Sequence, residues 1–134
     1  MGLFAALRPA RGNDYLAAVN WHEVIDERSY EMHQVVADVL RRDPAKLEDV
    51  IAWMERFLND PDYSIHSKDA LTEWYDIIKA RGLPGVLEKL AERSEDATRM
   101  RQSSPFAAIM PQDERTRILR KYEAFRPRTH PAGV

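Results

Sequence analysis

Four residues early in the chain have the types and spacing that chemistry uses: His22, Asp26, Ser29 and His33. On an α-helix these positions fall within about 60° of one another. Two imidazoles and a carboxylate are ligands for zinc, copper or nickel. Yet His22 and His33 are separated by about 16 Å along a helix axis, too far for one ion. A helical zinc-peptidase pattern would need its second His at position 26, where Asp stands. The expectation is no metal site and no cofactor. With no Cys in the chain, thiol nucleophiles, thiolate zinc sites and disulfide scaffolds are excluded. The sequence also lacks a phosphate-cradling Gly loop and a G-x-S-x-G elbow. Glu23, Glu27 and Glu31 recur every four residues, the pattern of a solvated outer helix face rather than of paired carboxylate catalysis.

Arg28 is the unusual residue of this segment. Its direction lies between Trp21, Ile25, Met32 and Val35, inside a stripe that should be core. A guanidinium there must find a carboxylate or carbonyl, extend to water, or face another subunit. One reading is an internal ion pair; the other is functional. The string Arg28-Ser29-Tyr30-Glu31-Met32-His33 has the form R-x4-H in an all-helical chain. It resembles the signature of the HEPN ribonucleases, the higher eukaryotes and prokaryotes nucleotide-binding family. The resemblance implies metal-independent RNA cleavage across a homodimer, with His33 as acid or base and Arg28 supporting the phosphate.

A second group of polar residues lies at Arg99-Met100-Arg101-Gln102-Ser103-Ser104, just before Pro105 and Phe106. Ser104 has the place of a cap for the turn that follows, with Arg99 and Arg101 in reach of neighbouring acids. With Ala70-Leu71-Thr72-Glu73-Trp74 upstream and Asp113-Glu114-Arg115 downstream, this segment resembles small helical bacterial proteins that accompany antitoxin-type regulators and nucleotidyltransferase-like toxins. The likeness spans about residues 20–125 and implies a binding partner rather than a reaction. Charge is unevenly distributed: residues 1–92 hold 11 basic and 17 acidic side chains, net −6, and residues 93–134 hold 9 and 5, net +4. Arg117, Arg120 and Lys121 lie opposite the apolar stripe of the last helix, a surface suited to phosphates or to an acidic protein.

The elements that must position these residues are helices. Gly is scarce, at five, and the eight Pro sit near segment edges, with no alternating strand pattern. The spacing predicts a first helix over 16–41, and a second that Asp43 caps and Pro44 opens, ending near 58. A third runs from about 67 to Gly82, a fourth from Pro84 to 93, and a fifth over 95–102 behind the Ser94 cap. One further turn starts at Ser104-Pro105, and Pro111 opens the last helix, with Ile118, Leu119, Tyr122 and Phe125 inward. Trp53, Trp74 and Tyr75 fall at core spacing. The chain of 134 residues and 15.5 kDa is long enough to bury about two thirds of its unfolded surface. The reading is all-α: one bundle-like domain of five to seven helices over 14–126, with mobile ends at 1–13 and 127–134.

Residues 102–112 form the longest stretch without charge, half the length of a spanning helix. No membrane segment, secretory leader or lipid anchor is expected, and the cytoplasm is the expected compartment. The function expected is a small accessory or antitoxin-like regulator that binds a protein through Arg99, Arg101, Gln102, Arg117 and Arg120. The first alternative is the HEPN-like ribonuclease using Arg28 and His33. The second is DNA binding through the last helix.

Overall fold

The apolar periodicities close into helices stacked around a single core. The computed structural model describes residues 21–126. Expectations for residues 1–13 and 127–134, and for the first helix before Trp21, lie outside the described residues. Helix α1 spans Trp21–Arg42, α2 Lys46–Leu58, α3 Ile65–Ala91, α4 Glu95–Gln102 and α5 Gln112–Glu123, with a 3-10 turn at Phe106–Ile109 between the last two. The chain is an all-α single domain, and no strand occurs among the described residues. Among those residues, no helix is long and apolar enough to cross a membrane.

The helix junctions follow the local chemistry, with two departures. Asp43 does not cap α2. Its carbonyl instead accepts from the Lys46 amide at 3.0 Å, making Asp43–Lys46 a turn with Pro44 in its second place, and α2 starts after Ala45 without a side-chain cap. Ser104 does not cap the 3-10 turn either, because its hydroxyl is bonded elsewhere. Ser94 caps α4 as its position suggests, its Oγ accepting from the Ala97 amide at 3.0 Å. The third and fourth expected helices join into the long segment α3, interrupted at Gly82, whose φ is +64° and ψ −154°.

Trp74 stands at the centre of the core, with no exposed surface. Its indole N–H donates to the Met100 carbonyl at 2.9 Å, and Phe106 meets its ring edge-on at 5.0 Å, so α3, α4 and the 3-10 turn are fixed by one side chain. Val24, Val36, Ala37 and Leu40 from α1, Val50 and Met54 from α2, Val86 and Leu90 from α3, and Ile118 and Tyr122 from α5 are among the residues that share this core. Helix α1 packs against all five other elements and is the wall from which side chains reach every part of the fold.

Gly82 is the one described residue at positive φ, in a region that only Gly occupies without strain. A Cβ there would meet nothing closer than the Pro84 ring at 3.8 Å, so the cost of a side chain is conformational rather than steric. Gly82→Ala is expected to lower unfolding free energy by about 2 kcal/mol, measurable as a shift of the urea midpoint at unchanged helical circular dichroism.

Candidate functional site

His33 sits in the core stripe of α1, next to Val36 and Ala37, and is 9% exposed. Its Nδ1 lies 2.7 Å from the Ser29 carbonyl, an oxygen that can only accept. Nδ1 therefore carries the proton. That leaves Nε2 as the acceptor of the Ser104 hydroxyl at 2.6 Å, across 71 residues of sequence. Phe106 meets the imidazole edge-on at 6.4 Å. Burial lowers the His33 pKa to about 4; the Ser29 carbonyl opposes that shift and Arg101 adds to it. The imidazole is neutral at pH 7, and both nitrogens are engaged.

Beside this pair lies a cavity of about 100 Å³, walled by Met32 and Val36 of α1, Phe106 and Ala107 of the 3-10 turn, Met110, and the His33–Ser104 pair, with Arg115 of α5 on its rim. One helical turn before Met32 stands Arg28. It is half-buried, and burial is the largest influence pushing its pKa down. The field of Arg126 adds to this, Glu123 opposes it, and Arg115 lowers it further. Even so shifted, a guanidinium remains charged. The Arg28 side chain makes no hydrogen bond or ion pair among the described residues, and neither does that of exposed Arg115. The third cation, Arg126, donates to Glu123 at 2.7 Å and lies over the Trp21 ring at 5.1 Å. A partly desolvated cluster of positive charge, short of counter-charge, thus borders an apolar cavity.

The other cations singled out from the sequence are differently placed. Arg99 is held by Glu73, at 2.8 and 2.9 Å, and by Asp96 at 2.6 Å. Arg101 is only 4% exposed. Its guanidinium donates to the carbonyl of Glu92 at 2.7 Å and lies 4.9 Å from the centre of the Tyr30 ring, so it contributes to the interior and not to an outer face. Gln102 donates to Asp26 at 3.2 Å. Arg117 pairs with Glu114 at 2.8 Å and lies 3.8 Å from Glu31. Arg120 is exposed.

Arg28 and His33 share α1 but are not brought to one reacting centre. Arg28 lies in the field of Arg115 of α5 and of Arg126 beyond its end, whereas His33 is buried against Ser29 and Ser104. His22 is exposed, and among the described residues no three His, Asp or Glu gather as metal ligands.

The glutamates of α1 correct the expectation of a purely solvated face. Glu27 is 6% exposed and is bonded to Arg93. Glu31 accepts from Lys121 at 2.9 Å and from the Tyr122 hydroxyl at 2.8 Å; burial opposes ionisation, but these two donors hold its carboxyl below the usual range. Their partners lie 66 to 91 residues away, beyond the reach of local spacing. Sequence reading also missed Ser104 as the partner of His33, and Arg115. A signal for Arg115 exists: it is a cation in the first turn of a helix, where the dipole favours anions.

Comparison of the chain with protein-family models, with curated proteins and with solved structures finds no match.

Because the folded-state pKa of His33 lies below the unfolded value of 6.5, the unfolded chain binds the extra proton between these values. The stabilisation is complete above pH 6.5 and is lost as pH falls toward 4, on the order of 3 kcal/mol in all. Urea midpoints are expected to drop across this window in the parent chain and to vary much less in His33→Gln. Equal slopes in the two would assign the effect to carboxylates instead.

Proposed function

We propose that this chain is a small binding protein, an accessory or antitoxin-like regulator of a bacterial cytoplasmic system, which acts by holding an acidic protein partner in the cleft between α1 and α5. The observation that supports this reading is Arg28: a half-buried guanidinium whose side chain makes no hydrogen bond or ion pair among the described residues, in the field of two further arginines that Glu123 only partly offsets. Leaving such a charge without a partner costs stability. Residues that break the local rules in this way concentrate where a protein meets something else. A carboxylate placed between Arg28 and Arg115 would supply the missing counter-charge with two charge-assisted hydrogen-bonding partners.

Charge favours a protein over a nucleic acid as that partner. The chain carries a net charge of −2 and a pI near 6.1, and most cations of its basic C-terminal part are committed to internal acids or carbonyls. A duplex held through six or more phosphates needs a far longer row of free cations.

The test is affinity capture from nuclease-treated extract of the source organism. A stoichiometric protein retained by the parent chain should be lost, by at least about tenfold in affinity, from the variant Arg28→Glu/Arg115→Glu. It should be retained by Arg117→Glu/Arg120→Glu. Equal loss in both variants would move the interface to the outer face of α5, and recovery of nucleic acid alone would contradict a protein partner.

A further inference from the structure

The cavity beside the cation cluster indicates what the partner brings. We propose that the α1–α5 cleft recognises a branched aliphatic group carried next to a carboxylate, the chemistry of a leucine-type side chain beside an acidic one on the partner's surface; this rests on the binding role proposed above. The cavity of about 100 Å³ is walled mainly by Met32, Val36, Phe106 and Met110. For scale, an enclosed apolar cavity of about 150 Å³ holds a benzene ring. Four or five carbons fit the smaller volume. The polar atoms in the wall add little demand of their own, because the His33 Nε2 and the Ser104 hydroxyl satisfy each other at 2.6 Å.

At the rim the requirement changes sign. Arg115 borders the cavity and Arg28 lies one turn before Met32, both without a partner among the described residues. An apolar group alone would fill the cavity and leave both guanidinium groups unanswered. A bare anion would do the reverse. Only a ligand with both parts meets the whole site, and methionine at two of the wall positions lets it adjust to the shape of the group inserted. Ala107 is exposed and lines the cavity, so a larger side chain there can block the entrance with little disturbance of the core.

Three probes separate the parts of the site: 4-methylpentanoate, with both chain and carboxylate; 4-methylpentan-1-ol, with the chain alone; and acetate, with the charge alone. The readouts are the methyl resonances of Met32 and Met110, labelled with carbon-13, and the side-chain N–H resonances of Arg28 and Arg115. Expected is saturable binding of 4-methylpentanoate that moves both sets and is at least fivefold tighter than that of either other probe. In Ala107→Phe the methionine shifts should disappear while acetate still moves the arginine signals. In Arg28→Glu/Arg115→Glu the preference for 4-methylpentanoate over the alcohol should vanish. If acetate and 4-methylpentanoate move the arginine signals equally and the methionines stay still, the aliphatic anchor is wrong and the anionic partner survives. If none of the probes moves the arginine signals, the anchor and the binding role fall together.

Discussion

Helix α1 buries polar side chains, and a buried polar group must be met by a partner or the fold loses its stability. This constraint ties the later part of the chain to α1. Glu27 takes Arg93; the Tyr30 hydroxyl donates to the Ala91 carbonyl; Glu31 takes Lys121 and Tyr122; His33 takes Ser104; and Gln34 donates to the Leu90 carbonyl at 2.8 Å. The charge imbalance between the acidic early and basic late segments is thereby used inside the molecule. Of these contacts the exposed ones contribute little to stability individually. Glu27 and His33 are different, because removal of either partner would leave a polar group in the interior.

Once those partners are assigned, Arg28 stands out as a half-buried charge with no hydrogen bond or ion pair from its side chain among the described residues, in the field of exposed Arg115. The two are close enough for Arg115 to depress the pKa of Arg28. The same wall of α1 that satisfies His33 internally presents Arg28 to a cleft where it has no partner among the described residues. The imidazole is neutral, buried and bonded at both nitrogens, a state suited to holding α1 against the Ser104 turn. General acid or base work on a phosphodiester asks for a nitrogen free to exchange a proton with substrate and a pKa near the working pH. In this chain the arginine of the R-x4-H string is half-buried, and the histidine is a core residue bonded at both nitrogens.

What the sequence revealed depended on range. Helix positions were legible because apolar period, Ser94, Gly82 and the Pro residues act within a few positions of themselves. Asp43 misled because Pro44 favours a turn whose hydrogen bond goes to the Asp43 carbonyl, not its carboxylate. At the site, Arg28 stood out as a charge inside an apolar stripe, a local contradiction. Ser104 and the glutamates of α1 did not stand out, since their roles are set by partners up to 91 residues distant, and no periodicity encodes a long-range pairing. Arg99 and Arg101 show the same limit: they share a helix and a charge, yet one is paired at the surface and the other is buried against carbonyls.

If the cleft is kept cationic for binding, then Arg28 weakens the isolated fold and strengthens the complex. Arg28→Leu separates these two effects in one experiment: unfolding free energy and partner affinity measured on the same variant. Removal of a partly desolvated, unpaired charge is expected to raise unfolding free energy by about 1 kcal/mol, while affinity for the captured partner falls at least tenfold. A variant that is destabilised, or that binds as tightly as the parent chain, would contradict the role given to Arg28.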